Sequence, residues 1–238
     1  ERIARLKAIP EYIQLFEVAF GSDSVTIENM QSAIASFERT LISNNSPFDK
    51  YAAGQFDALT AQQRRGLNLF RSAATRCFEC HAAPTFGSDD FFVTGVRDLE
   101  GLPHDAGRAD VAADGEDGAF NAPTLRNIAL TGPYMHNGAF ATLEEVVWFY
   151  ANGGGSEHGV DVDRHIIPID LSAQEHEDLV AFLYALTDES AMPEVPTSVP
   201  SGLPVVEQYP HLAREVVEQL NVEATESGVP AHEPVIVR

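Results

Sequence analysis

The sequence predicts a mainly α protein with long loops and an extended C-terminal tail. Apolar residues recur at spacings of three and four along several segments. Three of those segments open on a Ser or Thr followed three residues later by Glu or Gln, the signature of a capping box. The chain between them is rich in Gly, Asp and Pro and has little periodicity of its own.

Taken in order, residues 2–20 read as one helix or two short ones, with Pro10 at the bend or restart. Ile27, Met30, Ile34, Phe37 and Leu41 form one apolar helical face. Thr60 with Gln63 opens a helix that delivers the chain to "RCFECHAAPTF", Thr142 with Glu145 opens "LEEVVWFY", and Ser172 with Glu175 opens "HEDLVAFLYAL". The Gly/Asp-rich stretch from Gly95 to Phe120 is predicted as loop with short strand pairs. Beyond residue 190 the prolines predict an extended tail, followed by a short amphipathic helix at 210–220. No internal repeat is present.

At 238 residues and 44% hydrophobic, the chain can bury the core of one large domain or two small ones. No apolar run approaches the roughly 20 residues that span a bilayer. The formal net charge of −21 repels nucleic acid and anionic membrane and favours a basic protein surface as partner. The first residue is Glu1, not Met. The expectation is a processed chain or one that lacks an N-terminal part.

The only two cysteines, Cys77 and Cys80, lie two residues apart with His81 directly behind. Such a pair can be a redox dithiol, half of a zinc site or a haem attachment. A zinc ribbon needs a second pair, and adjacent Cys80 and His81 are awkward ligands for one tetrahedral ion. A thioredoxin-like motif belongs between a strand and a helix, whereas these surroundings read as helical. C-x-x-C-H is the attachment signature of c-type haem: the thiols add to the vinyl groups and the histidine becomes the proximal ligand. The expectation is therefore a c-type cytochrome domain carrying one covalent haem c. Because that attachment takes place outside the bacterial cytoplasm, a periplasmic or extracellular location after loss of a signal peptide is expected.

"AIASFERTLISNNSPFDKY", the C-x-x-C-H and "FNAPTLRNIALTGPYMHNGAFATLEEVVWFY" together resemble the bacterial di-haem cytochrome c peroxidase and MauG family, from about Glu1 to about Thr187. The resemblance is to the C-terminal half of those proteins. It implies an organisation in which residues 1–55 link to an N-terminal haem domain, 56–190 form the haem domain and 191–238 are a Pro-rich extension. The family's peroxide-binding haem lies in the other half, whose C-x-x-C-H, glutamine and glutamate have no counterpart here. A second haem is thus expected on a missing region or on a haem-bearing partner chain.

The resemblance also implies site residues. The candidates to face His81 across the iron are Met135, His136 and Tyr150. Counting on from the "PYxHxG" motif, Tyr150 occupies the place of the peroxidases' methionine ligand, where MauG also has tyrosine. Met135 is the alternative thioether ligand, and His136 matches a histidine near the haem edge that is not a ligand. A tyrosinate is anionic and hard, so it favours Fe(III) and a low potential, whereas a thioether favours Fe(II). Arg126 suits a haem propionate as a fixed bidentate donor, with Arg108 a weaker candidate. Thr131 and Pro133 match positions whose backbone carbonyls bind calcium in the family. The acidic loop from Asp105 to Asp117 lacks EF-hand spacing and reads as a solvated face. Trp148 is read either as an electron relay or as core. Thr75 stands where MauG has a tryptophan that draws electrons from its protein substrate, which argues against carrying over that chemistry. His104, His158, His165, His176 and His211 show no metal-ligand spacing and read as surface residues.

The implied function is the electron-transfer half of a di-haem peroxidase or MauG-like oxidoreductase, acting with a redox partner protein, which the charge suggests is basic. The alternatives are a non-enzymatic single-haem electron-transfer subunit and a haem-dependent oxygenase, which would need an open iron.

Overall fold

The computed structural model of the protein describes residues 2–203. The helix expected at 210–220 and His211 lie outside the described residues. The described residues divide into two compact units, Leu41–Met192 and residues 2–40 together with 193–203.

The larger unit is organised by two crossing helices, α5 (Ala61–Phe70) and α8 (Ala173–Tyr184). They meet at Gly66, where a Cβ would lie 1.8 Å from the Asp178 carbonyl oxygen and 2.8 Å from Phe182 Cβ. Only a hydrogen fits there, so the glycine sets how closely the helices approach. The neighbouring Arg65 forms a two-pronged ion pair with Asp178, its Nε and Nη2 each 2.7 Å from a carboxylate oxygen, and Gln174 Nε2 donates at 3.0 Å. The Asp178 carboxylate is buried, and this pairing offsets its desolvation.

Around the crossing lies the core: Leu59, Leu67, Phe70, Leu143, Phe182 and Leu186, with Phe86 reaching in from the loop behind the cysteines. Phe48, Phe70, Phe86 and Phe182 meet with ring centroids 4.9–6.0 Å apart, mostly edge to face. Phe48 belongs to α4 (Pro47–Ala52), opened by a Ser46–Asp49 capping box that the sequence reading missed because Asp, not Glu or Gln, stands at its third position. With α4 packed into the core, the larger unit begins at Leu41.

The three predicted capping boxes open α5, α7 (Leu143–Ala151) and α8 as expected. The predicted strand pair is two three-residue strands, β1 (Phe91–Val93) and β2 (Ala119–Asn121), antiparallel with Phe92 opposite Phe120. The end of α7 is fixed from outside: Ile169 N–H donates to the Ala151 carbonyl at 2.8 Å, and Gly155 N–H to that of Thr94 at 3.0 Å. A Cβ on Gly155 would lie 2.1 Å from the Gly95 carbonyl oxygen, so the chain after Tyr150 has one narrow path.

In the smaller unit, residues 2–20 form two helices, α1 (Arg2–Lys7) and α2 (Pro10–Phe20), with Pro10 as the first residue of the second, where its missing N–H costs nothing. The helix α3 (Ile27–Glu38) is capped by Thr26, whose hydroxyl accepts from Asn29 N–H at 3.2 Å, and ends before Leu41. Its apolar face exists as predicted, yet Ile27, Ile34 and Phe37 are about half exposed. No residue of α1, α2 or α3 is buried. Amphipathic periodicity predicts a helix and a sticky side, and does not supply a cover for it.

Replacing Gly66 with Ala is expected to destabilise the larger unit by about 3 kcal/mol, the upper end of the overpacking cost. Thermal unfolding of the haem-bearing protein measures this. An unchanged midpoint would show that the helix crossing tolerates a methyl group.

Candidate haem site

The C-x-x-C-H segment leaves α5 through a turn closed by the buried Thr75 and starts a four-residue helix, α6 (Cys77–Cys80), after Arg76 in the left-handed region at φ 58°. His81 N–H donates to the Cys77 carbonyl at 3.0 Å, which places the histidine at the end of that single turn. Arg76 and Glu79 form a two-pronged ion pair at 2.9 and 2.7 Å on the outer side of the turn. His165 lies 3.6 Å beyond Glu79 and is half-buried there, contrary to its reading as a surface residue.

The His81 ring is oriented by the loop behind it. Its Nδ1 lies 2.9 Å from the Phe86 carbonyl, and because a carbonyl can only accept, Nδ1 carries the proton. Nε2 is left with its lone pair, the form in which imidazole binds a metal. Burial lowers the His81 pKa, against the opposing effect of the Phe86 and Pro123 carbonyls, and so keeps the ring neutral. Phe86 is itself unusual: its side chain is 2% exposed within the aromatic core, and its backbone sits at φ 54°. That left-handed conformation costs a bulky residue of order 1–3 kcal/mol. It turns the carbonyl to a point where His81 and the Leu125 N–H, at 3.0 Å, both reach it.

Arg126 braces this loop. Its Nη1 and Nη2 each lie 2.9 Å from an Asp49 carboxylate oxygen, its Nε donates to the Pro84 carbonyl at 2.9 Å, and the guanidinium lies 5.7 Å from the Phe86 ring centre. The side chain that the sequence reading gave to a propionate is committed to Asp49 and the loop behind His81. Burial alone would raise the Asp49 carboxyl. The Arg126 guanidinium and the Ser46 hydroxyl and amide outweigh that and hold it below the usual carboxylate range.

Tyr150 lies half-buried near the end of α7. Burial raises its phenol above the ordinary range, and Cys80 and Cys77 add to the shift. Its ring packs edge-on against Phe149 at 5.3 Å. Met135 lies in the turn after the Gly132–Pro133 peptide with φ 69°. His136 stacks face to face on Phe120, centroids 3.8 Å apart and planes 7° from parallel. Trp148 is 53% exposed and meets His176 edge-on at 6.1 Å, which rules out the core reading. Arg108 lies over the Phe91 ring at 4.3 Å. Thr131 and Pro133 offer two carbonyl oxygens of the six to eight that calcium takes. Among the described residues no three acidic, histidine or cysteine side chains converge on a metal position.

The site's chemistry separates the three readings of the cysteine pair. A redox dithiol needs a depressed thiol, whereas burial raises Cys77, and burial with Asp163 and Glu79 pushes Cys80 up to about 11. Zinc needs four converging donors, which the described residues do not supply. Covalent haem attachment needs two unpaired thiols on one helical turn and an oriented neutral imidazole, and Cys77, Cys80 and His81 meet each requirement.

The fold and this site define a helical cytochrome c-type domain. A family model for di-haem cytochrome c peroxidases matches residues 1–57. The chain is 37% identical over 213 residues to the cytochrome-c peroxidase IdrP1 of Pseudomonas sp. strain SCT, an alignment covering 77% of this chain and 55% of that one. It is 36% identical over 201 residues to the methylamine utilization protein MauG of Methylorubrum extorquens, covering 82% and 55%. Among solved structures, a MauG-like protein associated with microbial copper homeostasis superposes with a TM-score of 0.64 at 35% identity, covering 79% of this chain and 62% of that one. The chain belongs to the di-haem cytochrome c peroxidase and MauG family, and it spans about half the length of the curated relatives it matches.

Arg126→Leu leaves the Asp49 carboxylate unpaired. The expected loss is about 2–3 kcal/mol, less than for a fully buried pair because each side chain keeps roughly one-sixth of its surface exposed. Chemical denaturation of the haem-bearing protein reads this, and a loss below about 0.5 kcal/mol would show that the brace is idle. A second expectation concerns His104, set between Asp117 and Asp98 at 2.9 Å each, which raise its pKa to about 9. Since the folded value lies above the ordinary 6.5, the bracket acts fully below about pH 6.5 and is lost as pH rises through about 9. A ring titration followed by NMR checks this, and a midpoint near 6.5 would show that the two carboxylates do not hold the imidazolium.

Proposed function

We propose that this chain is the electron-transfer half of a di-haem cytochrome c peroxidase or MauG-like enzyme, acting outside the bacterial cytoplasm. The observation that carries the reading is a pair of free thiols on one helical turn, directly followed by a His81 whose Nδ1 is fixed by the Phe86 carbonyl. Cys77 and Cys80 would hold the porphyrin, with His81 and Tyr150 as the residues facing the iron. Haem c, when bound, supplies a one-electron redox centre whose potential follows its axial ligands.

The protein's own part is electrostatic and steric. His81 keeps its proton on Nδ1 and presents Nε2. Tyr150 is half-buried and its phenol is shifted upward by burial, so an ionised phenolate there would need a positive charge beside it, such as a ferric centre. Arg126, through Pro84, and the core packing of Phe86 keep the loop from swinging. In the whole enzyme, peroxide reduction or peroxide-dependent oxidation of a partner would take place at a second haem, for which this sequence carries no second C-x-x-C-H. The uncovered apolar face of α2 and α3 suits the role of residues 1–55 as the link to that haem domain. Thr131 and Pro133 would contribute carbonyls to a calcium ion completed by that same region.

A single-haem electron-transfer subunit is the second reading, favoured by the one attachment motif in 238 residues. Intact mass, haem count and peroxide turnover of the purified protein separate the two. Turnover together with a second haem, on this protein or on a tightly held partner, supports the enzyme. One haem and no turnover supports the carrier.

Tyr150→Met is expected to raise the haem potential by on the order of hundreds of millivolts, and Tyr150→Phe to change the ferric spectrum. An unchanged spectrum and potential in both variants would remove Tyr150 from the iron. An iron in the unaltered protein that binds oxygen in an open position would favour the oxygenase reading instead.

A further inference from the structure

Beyond the haem pocket, the larger unit carries a groove of about 320 Å³ between the loop that follows β1 and the turn at His136–Asn137. Leu99, Leu102 and Pro103 give it apolar surface, with Leu102 58% exposed, and Asp98, Asp105 and Asp110 line it as well. From Gly95 to Gly118 the sequence holds seven acidic residues against two arginines. One of those arginines, Arg108, has its guanidinium over the Phe91 ring. The loop is held in shape, since His104 ties Asp98 to Asp117 and Asn137 Nδ2 donates to the Arg97 carbonyl at 2.8 Å.

An apolar groove with an acidic rim selects its occupant. Anionic ligands and anionic membranes are repelled, and a purely apolar ligand would leave Asp105 and Asp110, which His104 does not bridge, without a counter-charge. A protein surface with an apolar centre ringed by lysines matches both features, and opposite charge steers its approach. The groove also adjoins the haem pocket along the chain. Its His136 wall stacks on Phe120 of β2, and the same segment runs on to Leu125, whose N–H shares the Phe86 carbonyl with His81.

We propose that this groove docks a positively charged redox protein, one whose cofactor edge is apolar and surrounded by lysines. The redox character of the partner rests on the electron-transfer reading above. The docking surface itself rests on the groove and its charge.

The experiment uses the haem-bearing full chain and, as probe, a lysine-rich mitochondrial-type cytochrome c, with an acidic cytochrome c as comparison. Binding is measured by calorimetry across ionic strength, and electron exchange by stopped-flow spectroscopy. The first variant is the double substitution Asp105→Asn, Asp110→Asn. It removes two charges from the rim but leaves a side-chain amide oxygen at position 105, which can still accept from Gly107 N–H as the Asp105 carboxylate does. This variant is expected to bind the basic probe roughly ten-fold more weakly at low salt and with a shallower salt dependence. Leu102→Ala is expected to weaken binding without changing the salt dependence. Unchanged affinity in both variants, equal affinity of the unaltered chain for the acidic probe, or a self-association that the variants abolish would each overturn the docking surface. Binding that the variants weaken but that brings no electron exchange would uphold the surface and overturn the electron-transfer reading. Electron exchange that the variants leave intact would do the reverse.

Discussion

The bond from His81 Nδ1 to the Phe86 carbonyl is the constraint on which the site depends. It decides which imidazole nitrogen is free, and it exists because Phe86 satisfies two demands at once. Its ring is locked among Phe48, Phe70 and Phe182, and its backbone is held left-handed so that its carbonyl faces back toward the histidine. The strain of that conformation is offset by burial of a whole aromatic side chain, worth about 1.5–3 kcal/mol. A residue that packs the core thereby sets which nitrogen of His81 is free.

The supports of that loop come from remote parts of the chain. Asp49 caps α4 and pairs with Arg126, and Arg126 holds the Pro84 carbonyl. Gly66 lets α8 approach closely enough for Phe182 to close the aromatic cluster. Gly155, against the Gly95 carbonyl, fixes the chain just beyond the helix that carries Tyr150. Two close backbone approaches and one ion pair thus hold the segments that carry His81 and Tyr150, each where a larger or uncharged residue would not fit. Arg126 shows how a residue type with the right donors for a propionate can be used one layer further out, as a brace.

The molecule's charge is divided in use. Buried or half-buried carboxylates such as Asp178, Asp49 and Asp188 are each satisfied by an arginine or by backbone amides and are structural. The exposed ones concentrate in the loop between the strands, where His104 holds two of them. Family membership gives the haem chemistry a context, while about half the length of the relatives has no counterpart in this chain. The apolar face of α2 and α3 and the acidic groove are two surfaces of different character. One suits a covering domain, the other a transient charged partner.

By itself the sequence determined the helices and the attachment motif, because both are local. Capping boxes at Thr60, Thr142 and Ser172 need only four consecutive residues, Pro10 restarts a helix wherever it stands, and C-x-x-C-H fits on one turn. Tertiary structure decided what lies many residues apart in sequence. It directed Arg126 to Asp49, tucked His165 against the attachment helix and exposed Trp148. Spacing could not foresee these outcomes, since each depends on how remote parts of the chain pack. Nor could it show that the apolar face of α3 stays uncovered, because periodicity records which side of a helix is apolar and not what lies against it.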